Sequence, residues 1–115
     1  MTVLINYIEL QTHDVAATKS FYSDLFGWEF VDYGPEYVSF SNAGIDGGFF
    51  LTEKPDAGEN RTILFDEDLE TIREKVVGHG VELTKDIYSF PGGRRFEFND
   101  PSGNRLAVWS HEKAE

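Results

Sequence analysis

The spacing of apolar residues in the first half of the chain predicts a strand, a helix and three more strands. Residues 3–10 alternate with the period of two that is typical of a strand. After Asp14, apolar residues recur at helical spacing as far as Phe26, and Asp14 and Gly27 are residue types that commonly start and end a helix. Strand-like runs separated by glycine-containing turns follow at 28–33, 37–41 and 48–53. The predicted order of this half is βαβββ.

The same order starts again after a polar, turn-rich connector at 54–60. A short strand at 61–65 precedes a second helix, which Asp66 or Asp68 caps and which ends at Gly78 to Gly80. Three more strands are predicted at 81–87, 94–98 and 105–110. The junction letters GWEF after the first helix correspond to GVEL after the second. We therefore predict one domain over 1–115, made of two βαβββ repeats at about 1–53 and 61–111.

Composition limits the kind of chemistry that this domain can carry. The 115 residues are 40% hydrophobic and include no cysteine, so a metal ion would need His, Asp or Glu ligands. A net charge of -11 disfavours nucleic acid and anionic membrane as partners. No stretch is long and apolar enough to span a bilayer, and the first residues lack a basic, apolar leader. We expect a cytoplasmic protein whose partner is a small molecule.

The chain carries two recognisable motifs: YIEL, followed by Asp14 and SFYSDLFGWEF, and FNDPSGNRLAVWS near the end of the chain. With these motifs it resembles the vicinal oxygen chelate superfamily, which includes glyoxalase I, extradiol dioxygenases and bleomycin-binding proteins. The resemblance implies an α+β fold, in which tandem βαβββ modules form curved mixed sheets around a concave cavity. It also implies a homodimer, because family members of this length usually form dimers. Fold alone does not establish function.

The resemblance also indicates where metal-dependent members hold their ion with His and Glu side chains. In this chain those positions fall at Tyr7, at or near Arg61, at Phe50 and at Ala107. A divalent ion needs several oxygen or imidazole donors at about 2.0 to 2.2 Å, which this set does not supply. We therefore expect no metal ligands and no cofactor, with a divalent metal at rearranged positions as the alternative. His13, His79 and His111 are expected to face solvent.

Strand alternation assigns side chains to the concave face, if the more apolar face of each strand covers the helix. The helix-facing residues are then Leu4, Ile8, Leu10, Phe96, Phe98, Leu106 and Val108. The expected ligand-binding residues are Tyr7, Glu9, Phe50, Thr52, Arg95, Glu97, Arg105, Ala107 and Trp109. Glu9 and Glu97 are expected either to pair with Arg95 and Arg105 in a structural network or to contact the ligand, since a buried charge without a partner is costly.

Three functions are compatible with this pocket. The first is a metal-free binding protein for an antibiotic or a metabolite, whose aromatic residues and negative charge suit a flat cationic molecule. The second is a glyoxalase-type lyase, isomerase or dioxygenase with a rearranged metal site that involves Glu9 and Glu97. The third is a metal-free enzyme in which Glu9 removes a proton from a carbonyl compound and Arg95 or Arg105 stabilises the enolate. We favour the binding protein and leave open whether the chain is an enzyme.

Overall fold

The computed structural model describes residues 1–56, 58 and 60–112, and the elements in this range follow the predicted order. They are β1 (Tyr7–Thr12), α1 (Val15–Phe26), β2 (Glu29–Asp32), β3 (Tyr37–Ser41), β4 (Asp46–Leu51), β5 (Arg61–Phe65), α2 (Leu69–Gly78), β6 (Leu83–Phe90), β7 (Gly93–Asn99) and β8 (Arg105–His111). The chain divides into two compact units, Met1–Asp56 and Ala57–Glu115, and each holds one βαβββ order. This confirms the α+β class. Residues 57 and 59 of the predicted connector lie outside the described residues.

The first unit is a four-stranded mixed sheet with α1 on one face. The strand order is β1-β4-β3-β2, with β1 parallel to β4 and the other pairs antiparallel. Asp14 caps α1 by accepting a hydrogen bond from the Ala17 N–H at 3.0 Å, and Gly27 ends the helix with a φ of 74°. Tyr22 of α1 packs on Phe49 of β4 with 5.0 Å between ring centroids, which identifies the sheet face that the helix covers.

The second unit repeats this arrangement with the strand order β5-β8-β7-β6. Asp68, not Asp66, is the helix cap, and its side chain accepts a hydrogen bond from the Thr71 N–H at 3.4 Å. Glu70 of α2 forms an ion pair with Arg94 of β7, so α2 covers the sheet face that carries Arg94. Every second residue after Arg94 lies on that same face. Those residues, Phe96 and Phe98, are fully buried as predicted. In the part of the chain that is described, neither helix has the length and apolar character needed to cross a membrane.

The first strand does not occupy the predicted residues 3–10. It begins at Tyr7, because β4 begins at Asp46, which lies opposite Tyr7, so earlier residues have no β4 residue to pair with. Leu4 is 78% exposed, and its prediction as a helix-facing core residue was wrong. Thr12 takes part in the core instead, where its hydroxyl bonds the Thr18 hydroxyl at 2.7 Å.

Other strand boundaries also differ from prediction. β4 ends at Leu51, so the predicted pocket residue Thr52 lies just beyond the strand. β6 begins at Leu83 and extends to Phe90, past the predicted end at residue 87. Trp28 precedes β2 and is buried between Tyr22 and Phe40, with ring centroids at 4.5 and 4.7 Å. The packing of this large ring on its neighbours contributes to the core of the first unit.

Candidate functional site

The strand register makes positions in the two units equivalent. Tyr7 lies seven residues before the helix cap Asp14, Arg61 lies seven before Asp68, and each begins its strand. Tyr7 pairs with Asp46 in the first sheet, and Arg61 pairs with Arg105 in the second. Counting along β4 and β8 then equates Gly48 with Ala107 and Phe50 with Trp109. We call the face of each sheet opposite its helix the helix-free face, and the predicted pocket residues within strands lie there.

On the first helix-free face, Tyr7 and Glu9 lie beside a residue that was not predicted, Tyr37. The Tyr7 and Tyr37 hydroxyl oxygens are 2.5 Å apart. The Tyr37 ring extends across Gly48, where a Cβ atom would lie 2.1 Å from the Tyr37 hydroxyl oxygen. A glycine is therefore needed under this ring. Val38 and Phe40 of β3 are buried under the helix. Because successive strand residues point to opposite faces, the sequence could have predicted Tyr37 on the helix-free face.

The electrostatic surroundings keep Tyr37 protonated. Burial raises the pKa of Tyr37, and hydrogen bonds with Tyr7 and Glu9 raise it further. A phenol that stays neutral is a hydrogen-bond donor at physiological pH. Glu9 thus has a phenol partner in its own unit.

The other predicted residues of the first unit are less enclosed. Phe50 is 42% exposed and lies on the side of β4 opposite the buried Phe49, as the alternation predicts. Thr52 follows the end of β4, and its N–H donates to the Thr12 carbonyl at 2.8 Å. Its backbone is therefore engaged in extending the β1–β4 contact.

On the second helix-free face, Glu97 is the centre of a charged cluster. Arg61 Nη2 lies 3.1 Å from Glu97 Oε1, and Arg95 Nη2 lies 3.6 Å from Glu97 Oε2. The Tyr88 hydroxyl donates a hydrogen bond to Glu97 and accepts one from Arg95 Nε. The expected pairing of Glu97 with an arginine is present, with Arg61 and Tyr88 as additional partners.

These contacts hold Glu97 in its ionised form. Burial raises the pKa of Glu97, but the Tyr88 hydrogen bond and the positive charges of Arg61, Arg95 and Lys85 outweigh burial, so the pKa lies below its ordinary value. Lys85 also lies over the Tyr88 ring, with Nζ 4.1 Å from the ring centroid. One carboxylate is therefore surrounded by several cations.

A cavity of about 310 Å³ opens beside this cluster. The charged and amide side chains among its described lining residues are Arg61, Lys85, Glu97, Asn99 and Arg105. Three of them are cations and one is a carboxylate, so the cavity has an excess of positive charge although the whole chain is strongly acidic.

Aromatic residues occupy the other end of the same face. Trp109 packs against Phe65, Phe90 and His111, with ring centroids at 4.9, 6.2 and 5.0 Å. Ala107 lies between Arg105 and Trp109 along β8 and is fully buried. The predicted residues Arg95, Glu97, Arg105, Ala107 and Trp109 therefore share one face of one sheet.

Lys85 and Tyr88 were not predicted because β6 is irregular. Its pairing with β7 shifts register between Leu83 and Lys85 and again between Lys85 and Tyr88. Each shift disturbs the alternation from which faces are predicted. A period-of-two analysis of the sequence would have assigned Lys85 and Tyr88 to opposite faces.

Comparison with protein-family models gives a match that covers most of the chain. Residues 4–108 match the model of the Glyoxalase/Bleomycin resistance protein/Dioxygenase superfamily. The chain belongs to this superfamily. The fold expected from the two sequence motifs is therefore confirmed.

Similar proteins of the superfamily come from several bacteria. The chain is 28% identical over 115 residues to the protein named "Putative glyoxylase CFP32" of Mycobacterium tuberculosis, with 90% of this chain covered. It spans only 44% of the length of that relative. The activity of the longer protein is thus not established for this chain.

Solved structures of the superfamily share the fold at low identity. A lactoylglutathione lyase from Agrobacterium tumefaciens has a TM-score of 0.78 and 19% identity, covering 96% of this chain and 95% of that one. A glyoxalase/bleomycin resistance protein/dioxygenase from Nocardioides has a TM-score of 0.79 and 18% identity, covering 100% and 87%. These likenesses support the fold only.

The residues at the superfamily's expected metal positions do not fit a divalent ion. Tyr7 is bonded to Tyr37, Arg61 is paired with Glu97, and Ala107 has no donor. The strand pairings of the two units make Gly48 equivalent to Ala107, whereas the sequence analysis had predicted Phe50 at this metal position. Neither Gly48 nor Phe50 has a side chain that can bind a metal ion. Among residues 1–56, 58 and 60–112, no group of three or more His, Asp or Glu converges. His13, His79 and His111 are exposed.

Proposed function

We propose that this superfamily member binds an organic small molecule on its helix-free faces without a resident divalent metal ion. The proposal depends mainly on the ion pair of Arg61 with Glu97. Arg61 occupies the position in the second unit that is equivalent to Tyr7 in the first, where a metal-binding relative would have a ligand. A guanidinium at a ligand position repels a metal cation and offers no lone pair to it. The cavity beside Arg61 and the aromatic cluster at Trp109 provide polar and apolar surface for a ligand.

Elemental analysis tests the metal-free part of this proposal. Protein purified after expression with added zinc, nickel, manganese or iron is expected to hold much less than one metal ion per chain. A ligand that stabilises the protein in a thermal-shift assay is expected to give the same shift with and without EDTA. Stoichiometric, tightly held metal, or stabilisation that EDTA abolishes, would contradict the proposal.

A second candidate is a metal-free acid–base enzyme that uses the first helix-free face. The observation that favours it is the position of Glu9 beside Tyr37, whose pKa is raised. Glu9 would remove a proton from the carbon next to a carbonyl group, and the neutral Tyr37 hydroxyl would donate a hydrogen bond to the enolate oxygen. In this mechanism Tyr37 stabilises the enolate, which is the role that was predicted for Arg95 or Arg105.

Deuterium exchange measures this proton removal directly. If Glu9 is a general base, the protein accelerates exchange of the methyl protons of 2,3-butanedione in D2O, and Glu9→Gln loses the acceleration. Glu29→Gln is the matched control, because Glu29 is an exposed carboxylate on β2 of the same unit. Equal exchange rates with Glu9→Gln and the unchanged protein would exclude Glu9 from the reaction.

Homodimer formation and a cytoplasmic location remain predictions.

A further inference from the structure

We propose that the helix-free face of the second unit binds an organic anion, with a carboxylate or phosphate group beside Arg61 and Arg105 and an apolar body extending toward Trp109. This inference rests on the proposed small-molecule binding and names the class of ligand. It departs from the expectation of a cationic ligand, which followed from the net charge of the whole chain.

The anionic headgroup is inferred from the charge around the cavity. The cavity is lined by the cations Arg61, Lys85 and Arg105, and its described lining includes one carboxylate, Glu97. Arg95 adds a further positive charge next to Glu97, at 3.6 Å. Charges that share a small cavity act over a few ångströms, whereas distant charges of the chain are screened within about 10 Å at ordinary ionic strength. A ligand in this cavity therefore experiences positive charge.

Glu97 is already engaged by neighbouring side chains. Its oxygens already accept from Tyr88 and face Arg61 and Arg95, and its pKa is lowered. This carboxylate is held as an internal counter-ion, which aligns the guanidinium groups. A cationic ligand would have to compete with these groups for Glu97, whereas an anionic ligand would meet the guanidinium and ammonium groups that line the cavity.

The side chains along β5 and β8 change from charged to apolar. These strands are parallel neighbours, and their register places Arg61 beside Arg105, Ile63 beside Ala107, and Phe65 beside Trp109. Alternation puts all six side chains on the same face. The face therefore changes from cationic through small and aliphatic to aromatic over four residues, which is roughly 13 Å of strand.

The apolar end of this face is exposed. Ile63 is 45% exposed and Phe65 is 49% exposed, beside the half-buried Trp109. Apolar surface that leads away from a cationic cavity suits a ligand with an anionic head and an aryl or aliphatic body. The inferred ligand is an organic anion of this amphipathic kind.

Titration with matched aryl probes, followed by NMR, tests the inference. The probes are 4-phenylbutyrate, 4-phenylbutyl phosphate and 4-phenylbutylamine, and the signals are the backbone amide of Arg105 and the two indole N–H groups. The anionic probes are expected to shift the Arg105 and Trp109 signals, while the amine shifts neither. Trp28 is an internal control, because its ring is buried in the core of the first unit. The stronger of the carboxylate and phosphate probes identifies the headgroup.

Substitutions of the cations give the second measurement. Arg105→Met and Lys85→Met are each expected to weaken binding of the better anionic probe by about tenfold, the effect of losing a charge-assisted hydrogen bond. Lys85 is exposed, so Lys85→Met provides a test even if Arg105→Met folds poorly. Arg73→Met is the matched control, because Arg73 lies on α2 in an exposed ion pair with Asp86.

The outcomes separate this inference from the proposed function. Binding of the amine in preference to the anions, or anion binding that Arg105→Met and Lys85→Met leave unchanged, overturns the inferred anion site but leaves metal-free small-molecule binding intact. Anion binding that appears only with added divalent metal and disappears with EDTA overturns the proposed function. Anion binding in EDTA that both substitutions weaken and Arg73→Met does not supports the two together.

Discussion

The two units have the same element order and register but opposite chemistry on their helix-free faces. Tyr7 corresponds to Arg61 and Asp46 to Arg105, so an acidic and phenolic set in the first unit becomes a cationic one in the second. Lys19 and Lys54 are the basic residues of the first unit, and the other eight of the chain's ten follow residue 60. The repeated backbone therefore determines where side chains meet, and the side chains determine what they can bind.

The units also form the turn before their last strands by different means. In the first unit, residues with positive φ make the turn between β3 and β4, with Asn42 at 58° and Gly44 at 93°. In the second unit, the buried Asp100 organises the turn between β7 and β8. Asp100 Oδ1 accepts from the N–H groups of Ser102 and Asn104 at 2.9 and 2.8 Å, and Oδ2 accepts from Asn104 Nδ2 at 2.8 Å. Gly103 in the second turn also has a positive φ, 85°, so both turns use this backbone conformation and the second unit adds the hydrogen bonds of Asp100.

Removing the Asp100 carboxylate is expected to have the largest effect. Asp100→Ala removes the carboxylate that accepts three hydrogen bonds from Ser102 and Asn104, and we expect a loss of about 2 to 4 kcal/mol in the free energy of unfolding. Urea denaturation followed by circular dichroism measures the loss. Asp100→Asn keeps one oxygen acceptor and should cost less. Equal stability of Asp100→Ala and the unchanged protein would show that the turn does not depend on this side chain.

Replacing Arg61 tests the charge difference at the position equivalent to Tyr7. Arg61→Met removes a positive charge that lowers the pKa of Glu97, and we expect a loss of about 1 to 2 kcal/mol at pH 7. A carboxyl with a lowered pKa stabilises the folded state above its ordinary pKa, and this stabilisation is lost as the pH falls through the folded-state pKa. The difference between variant and unchanged protein should therefore shrink below about pH 4. If the difference in free energy of unfolding between Arg61→Met and the unchanged protein stays constant from pH 7 to pH 3, the loss of stability comes from lost packing and not from the lost charge.

The smallest effect is expected at the equivalent position in the first unit. Tyr7→Phe removes the hydroxyl that bonds Tyr37, at an exposed site, and should cost at most about 1 kcal/mol. Because Tyr7 raises the pKa of Tyr37, the substitution should bring the Tyr37 titration closer to that of an ordinary tyrosine. Phenolate absorbance during an alkaline titration measures this change. Tyr33→Phe, at an exposed tyrosine of the same unit, is the control.

The sequence determined the element order and most of the face assignments. Period-of-two and helical patterns place Asp14 and Gly27 at the ends of α1, and Phe96 and Phe98 in the core. These features depend on local propensity and on burial of one face, which a single chain encodes directly. The two motifs were also sufficient to identify the superfamily.

Only the tertiary structure decided which charged and phenolic groups meet. The partnership of Glu97 with Arg61 depends on β5, β8 and β7 lying side by side, and the approach of Tyr88 depends on the irregular register of β6. Tyr37 reaches Tyr7 because the glycine at position 48 leaves room for its ring. Such contacts join residues far apart in the chain, so they follow from strand register and side-chain packing that no local pattern encodes.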